Sequence, residues 1–435
     1  MKNVGFRISN MNEKEKQIDE LLSRGVSEVI DRDHLNERLL AGETLRVKFG
    51  IDPTSPNIHL GRSVPLLKLR DFQALGHTIV FIVGDFTGQI GDTSDKESER
   101  PMLSEALVRE NLKTYLDQAF KILDKEKTKV FFNSVWLSEL SLRGIGHLAT
   151  WFSLHDFIAR ENIRKRLDEG KRISLREVLY PLMQGYDSVM VDADIEVGGT
   201  DQRFNMLAGR EAERHVIDFI SPEHNKLIRE NIGQPPKQRS GNTLTKTPLD
   251  AAPQDIMMMN LVMGTDGRKM SSSWGNTINL TDAPNDMLGK VMSIPDELIE
   301  SYFIHCTRVP MEEIDGIMKS ESPRDAKLRL GREIVKIYHG EDASRAAEEY
   351  FVSTFSKREI PNDIREVKLT GEMSLLDFLV QEGFAMSRGD ARRKIEQGGV
   401  EVDGVKVLDR DFTLTNTGKS SIVKCGKKDF ARIIF

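Results

Sequence analysis

Hydrophobic positions alternate, then run together, along the first third of the chain. Leu45, Val47, Phe49 and Ile51 alternate with Arg46, Lys48 and Gly50, the period of a strand. Thr78-Ile-Val-Phe-Ile-Val83 is a continuous apolar run, the pattern of a central parallel strand buried on both faces. Lys129–Asn133 and Asp194–Val197 predict two more strands. Helical spacing fills the intervals. Met11–Arg24 and Asp33–Ala41 precede the first strand, and Leu66, Leu69, Ala74 and Leu75 run to Gly76. Behind a Ser104 cap, Val108, Leu112, Tyr115, Leu116, Ala119 and Leu123 form one apolar stripe. Strand and helix in alternation at this spacing predict an α/β fold with a doubly wound parallel sheet.

The pattern then changes. Val135–Arg172 reads as mostly helical, with basic turns that include Arg160, Arg164, Lys165, Arg166, Lys171 and Arg172. That is a solvated face, a subunit contact or a contact to RNA. Ser174-Leu-Arg-Glu177 is a capping-box pattern, so a helix starts there. Pro181 kinks that helix or opens a new one. Tyr180, Gln184 and Asp187 fall on one face, at i, i+4 and i+7, among Leu179, Leu182, Met183, Tyr186 and Val189. A polar stripe on an apolar helix faces solvent or a ligand. Pro235–Gln254 reads as an exposed polar insertion, and Pro284–Phe355 as nearly all helical. The last stretch holds an amphipathic helix at Leu375–Gln381 and a basic helix within Ser387–Gly399. A hairpin follows at Val400–Val407, turning at Asp403-Gly404.

Composition narrows the class. The chain has 435 residues, 39% hydrophobic and 30% charged, enough for several globular domains. No apolar run is long enough for a membrane helix. The opening Met1-Lys-Asn-Val-Gly-Phe-Arg7 has no apolar signal core, which predicts a cytoplasmic protein. Cys306 and Cys425 stand alone, so neither a disulfide framework nor a metal site is expected. Net charge is −6, yet Met386–Phe435 has a local balance of +4. A basic tail on an acidic body suits an RNA contact.

Candidate chemistry gathers where strands hand over to helices. His59 and Gly61 lie between the first strand and its helix, where backbone N–H groups and the helix dipole favour a phosphate. Gly264–Ser273 is a mobile, basic, hydroxyl-rich loop. Its Lys269 can neutralise phosphate charge, and Ser271, Ser272 and Ser273 can bond phosphate oxygens. Asp92 follows the Thr78–Val83 strand, as a site carboxylate or a cap. Asp201 and Gln202 follow Gly198-Gly199, where Asp201 accepts from ribose hydroxyls or caps the next helix.

Gly50-Ile-Asp-Pro-Thr54, His59-Leu-Gly61, Gly91-Asp92, Tyr180-Pro-Leu-Met-Gln-Gly-Tyr-Asp187, Gly198-Gly-Thr-Asp-Gln202 and Lys269-Met-Ser-Ser-Ser273 occur in this order. With the basic tail, which is similar to an S4 RNA-binding domain, they resemble the bacterial tyrosyl-tRNA synthetases, a class I aminoacyl-tRNA synthetase family. The resemblance implies a Rossmann-like catalytic domain over 1–280 with a helical insertion near 135–172. It implies a helical tRNA-binding domain over 281–356, a linker over 357–371 and an S4-like domain over 372–435. It implies that tyrosine is activated with ATP and Mg²⁺ and passed to tRNA(Tyr) by a homodimer.

The implied roles follow the motifs. Thr54, His59, Arg62, Lys269, Ser271 and Ser272 would form the catalytic set. Gly50, Asp52, His59, Gly61, Gly199, Asp201 and Lys269 would hold ATP. Asp187 would receive the substrate phenol, and Asp92, Tyr180, Gln184 and Gln202 would surround its ammonium. Arg388, Arg392, Arg393 and Lys394 would meet RNA. Four positions depart from the family pattern: Arg62 for a histidine, Ser272 for a second lysine, Thr93 for a proline, and Lys48 where another branch has a tyrosine. Arg62 and Ser272 leave room for a non-catalytic RNA-binding homologue. A tryptophanyl-tRNA synthetase shares the two signatures but not the tail or the Tyr180 stripe.

Overall fold

Strands β1 (Val26–Ile30), β2 (Arg46–Ile51), β3 (Thr78–Val83), β4 (Thr128–Phe132), β5 (Ile195–Gly199) and β6 (Asp255–Met259) form one sheet in the computed structural model, in the order β1-β6-β5-β2-β3-β4. The structure describes residues 11–93, 101–215, 253–356, 364–369, 371–415, 420–426 and 429–434. Five of the strands run parallel, and β1 lies antiparallel against β6 at the edge. From β2 the chain winds outward through β3 and β4, then returns to β5 and winds the other way to β6. The switch point therefore falls between β2 and β5, the place where open α/β sheets collect ligands. The doubly wound parallel sheet expected from the sequence is borne out, with two strands added. β1 escapes the pattern because its residues are half-buried or exposed, and β6 because its run of three methionines has no alternation.

Helix boundaries differ from the sequence reading at two places. The stripe from Val108 to Leu123 is two helices, Glu105–Leu112 and Tyr115–Ala119. Side chains on both tie down the loop after β2: Asn111 Nδ2 donates to the Pro53 carbonyl at 2.8 Å and Gln118 Nε2 to that of Pro56 at 2.9 Å. Pro181 neither breaks nor restarts its helix, which runs unbroken over Leu175–Val191. Its capping box is formed, with the Ser174 N–H donating to Glu177 Oε1 at 3.0 Å. In the insertion, Arg166 is not on a solvated face. It is 1% exposed and paired with Glu177 at 2.5 Å, so it anchors the start of that helix. The polar insertion expected before Gln254 falls almost wholly outside the described residues.

The chain divides into two compact units, Met1–Ser344 and Arg345–Phe435, and residues 281–344 group with the sheet. In the second unit β7 (Arg365–Lys368), β8 (Met373–Ser374), β9 (Val400–Val402), β10 (Val405–Lys406), β11 (Thr413–Leu414), β12 (Ser421–Cys425) and β13 (Asp429–Ile434) form two small sheets. β7 lies within the stretch expected as linker and pairs in parallel with β13. Only its Val367 is buried, so its polar sequence hides it. Leu375, Phe378, Leu379, Ile395, Val400, Val423 and Ile433 form this unit's core. Asp403 and Gly404 both take positive φ, 51° and 79°, as a two-residue hairpin turn requires.

Candidate active site

The ends of β2 and β5 place most of the expected residues at the switch point. Asp52 follows β2. Its Oδ1 accepts from Thr87 Oγ1 at 2.7 Å and its Oδ2 from the Tyr180 hydroxyl at 2.7 Å. The expected nucleotide carboxylate and the expected ammonium-side tyrosine are thus bonded to each other. Burial pushes the Asp52 carboxyl up to about 6, against the hydrogen bonds from Thr87 and Tyr180.

Asp187 is the deepest of the group. It is 4% exposed, and burial raises its carboxyl to about 7. The charge of Lys48 and bonds from Trp136 and Asn133 hold it down, and Glu196 opposes them. Trp136 Nε1 donates to Oδ1 at 2.7 Å and Asn133 Nδ2 to Oδ2 at 3.2 Å. Neither donor is legible in the sequence. Trp136 opens the basic insertion and Asn133 follows β4, and nothing in their spacing links them to residue 187. Across the site, Gln202 Nε2 donates to Asp92 Oδ2 at 2.7 Å. Gln184 Nε2 donates to Glu196 Oε1 at 3.1 Å. An amide with its donor end held this way offers its oxygen elsewhere.

On the phosphate side, His59 stands just before the helix Leu60–Ala74 with extended backbone. Burial, then the charges of Arg62 and Lys269, lower its imidazole to about 3. It is neutral at physiological pH. Among the described residues its buried Nδ1 has no hydrogen-bond partner. A Cβ on Gly61 would lie 3.1 Å from that nitrogen, so glycine there makes room for the ring. The Gly61 N–H lies 3.3 Å from Met270 Sδ, which ties the helix start to the lysine loop. Arg62 donates to Thr54 Oγ1 at 3.0 Å and to the Tyr115 hydroxyl at 2.8 Å. Lys269 pairs with Asp201 Oδ2 at 3.0 Å. Ser271 is held through its backbone N–H by Asn276 Oδ1 at 2.9 Å, and Ser272 starts a short exposed 3₁₀ turn.

In the second unit Arg388, Arg392, Arg393 and Lys394 all lie on or at the start of one helix, Arg388–Glu396. Arg388 forks onto Asp377 at 2.6 Å, Arg393 bonds Asp390 at 3.2 Å, and Lys394 donates to the Phe384 carbonyl at 2.6 Å. Arg392 is exposed.

A parallel sheet whose switch point gathers a neutral helix-start histidine, a lysine loop and a buried carboxylate is a nucleotide-activating site. Residues 40–356 match the family model described as tRNA synthetases class I (W and Y), and the chain belongs to that family. Residues 357–433 match the model described as the tyrosine--tRNA ligase SYY-like C-terminal domain. Relatives that match end to end bear the name tyrosine--tRNA ligase. The protein of Thermotoga maritima is 41% identical, covering 96% of this chain and 97% of its own. That of Haemophilus influenzae is 40% identical over 95% of each. Among solved structures, a truncated Aspergillus nidulans mitochondrial tyrosyl-tRNA synthetase shares the fold at TM-score 0.61 and 21% identity, covering 79% of this chain and 94% of its own. The resemblance read from the motifs is borne out.

Proposed function

We infer that the chain is a tyrosine–tRNA ligase. The tyrosine carboxylate attacks the α-phosphate of ATP, pyrophosphate leaves, and a terminal adenosine hydroxyl of tRNA(Tyr) then takes the tyrosyl group. No protein nucleophile is needed, so the site works by positioning and charge stabilisation. Thr54, His59 and Lys269 meet the leaving pyrophosphate oxygens, with Arg62 holding Thr54. His59 acts there as a neutral donor. Gly50, Asp52, Gly61, Gly199 and Asp201 line the adenosine, and Ser271 and Ser272 close with the loop. Mg²⁺ arrives with ATP as part of the substrate. Among the described residues no three His, Cys, Asp or Glu side chains cluster to hold a metal.

Asp187 is the observation that supports tyrosine as the amino acid. Its buried carboxylate, braced by Trp136 and Asn133, accepts the phenol hydroxyl. Phenylalanine would leave that buried acceptor short of a partner. Asp92, Tyr180, Gln184 and Gln202 serve the ammonium. Arg388, Arg392, Arg393 and Lys394 serve tRNA. Two observations bear on the surroundings. No described helix is long and apolar enough to cross a membrane. Both cysteines are free, which suits a reducing cytoplasm. Leu142 and Leu175 are 85% and 82% exposed, apolar surface that suits burial in a homodimer. A fully active monomer in sedimentation at micromolar concentration would overturn the dimer.

The test of the reaction is ATP–pyrophosphate exchange driven by tyrosine, phenylalanine or tryptophan. Exchange with tyrosine alone is expected. Exchange with tryptophan would overturn the pocket assignment. No exchange, from folded protein that still binds tRNA, would make this a non-catalytic RNA-binding homologue.

A further inference from the structure

Lys48 of β2 and Glu196 of β5 stand directly opposite one another across the switch point. Their side chains are 0% and 2% exposed, and Lys48 Nζ lies 2.9 Å from Glu196 Oε1. A buried ion pair loses hydration that its attraction barely offsets, so stability alone does not account for it. Its other bonds are concentrated on the helix Leu175–Val191. Lys48 Nζ donates to the Gln184 carbonyl at 2.9 Å and to Ser188 Oγ at 2.7 Å. Three oxygens, Glu196 Oε1, the Gln184 carbonyl and Ser188 Oγ, thus lie within 2.9 Å of the ammonium. Held in this way, Lys48 acts through its neighbours.

Glu196 completes the network. Its Oε1 accepts from Gln184 Nε2, and its Oε2 accepts from Ser188 Oγ at 3.3 Å and Gln254 Nε2 at 2.8 Å. Space is reserved for it. A Cβ on Gly209, in the helix Arg203–His215, would lie 2.3 Å from Gln254 Nε2, 2.8 Å from Ser188 Oγ and 3.2 Å from Glu196 Oε2.

We propose that the Lys48–Glu196 pair is a positioning device for tyrosine recognition, which pins the helix turn from Gln184 to Ser188 and holds Asp187 as a hydrogen-bond acceptor for the substrate phenol. The proposal rests on the ligase reading above. Several groups act on Asp187. Lys48 on β2 favours its charged form and Glu196 on β5 opposes it. Trp136 and Asn133 donate to it directly, and Asn133 reaches Asp52 through Thr87. Tyr180 shares its helix and senses its charge.

The test uses the full chain as wild type, Lys48→Met, and Lys48→Met with Glu196→Gln. The double variant leaves no orphaned buried charge and keeps the test open if the single variant fails to fold. Three tryptophans in the chain make the Trp136 indole N–H assignable by nitrogen-15 labelling, and it reports the ionisation of Asp187. In Lys48→Met the indole titration midpoint and the acid limb of kcat/KM for tyrosine are expected to move up together by about one pH unit. The change should fall on the tyrosine KM rather than on kcat. The double variant should keep a raised tyrosine KM and weaker selectivity against phenylalanine. A folded double variant with wild-type KM and selectivity would overturn the proposal, as would an unmoved indole midpoint in folded Lys48→Met. Wild type without tyrosine-dependent exchange would instead overturn the ligase reading, and this role with it.

Discussion

Asp187 and His59 are two buried groups that burial drives toward the neutral form, raising the carboxyl and lowering the imidazole. The Asp187 carboxyl is raised to about 7. Protonated, it loses an acceptor lone pair for the phenol. The kcat/KM for tyrosine is therefore expected to fall as pH drops through about 7 and to level off above it, in exchange assays across that range. The His59 imidazole is lowered to about 3 and stays neutral throughout. It should add no limb near neutrality. His59→Ala should lower kcat by roughly a hundredfold or more, as removal of a transition-state donor does, with little change in tyrosine KM. Residue types are the feature of the site most open to sequence reading. Spacing alone sets Tyr180, Gln184 and Asp187 on one face. It cannot bring in Trp136, Asn133 and Glu196, because their meeting with residue 187 or 184 depends on the fold of distant elements.

Among elements, the helix Leu175–Val191 does the most. One face packs on the helix Arg203–His215 so closely that a Cβ on Gly185 would lie 2.9 Å from the Ala208 carbonyl. Gly185→Ala must push apart a helix pair whose spacing sets Gln184 and Asp187. A loss of about 1–3 kcal/mol in stability is expected by denaturant unfolding, together with a higher tyrosine KM. The central strands are legible because burial on both faces leaves an unbroken apolar run, as in β3. β1 and β7 are not, since edge strands bury too few positions to imprint a period. The break between Leu112 and Tyr115 also leaves no mark in the apolar stripe, because side-chain bonds to the Pro53–Pro56 loop mark it.

The whole molecule is two units, and the ligase reading divides the labour between them. Exchange needs only the sheet unit, whereas charging of tRNA needs both. Arg392→Ala with Arg393→Ala should leave exchange unaltered and weaken tRNA binding. The slope of log affinity against log salt should become shallower by roughly one for each phosphate that is no longer neutralised, measured by filter binding over a salt series. The domain order is legible from the change of charge and pattern near the C-terminal end. That residues 281–344 group with the sheet is not, since helices alone do not reveal what they pack on.

The bond between Lys269 and Asp201 joins a residue assigned to the phosphates with one assigned to the ribose. Each holds the group the other needs for ATP. On the ligase reading, a nucleotide whose sugar met Asp201 would compete for that carboxylate and free the lysine for its own phosphates, which would couple the two ends of ATP. ATP should then bind more tightly than adenosine or pyrophosphate alone, since only the whole nucleotide offers a partner to both side chains at once.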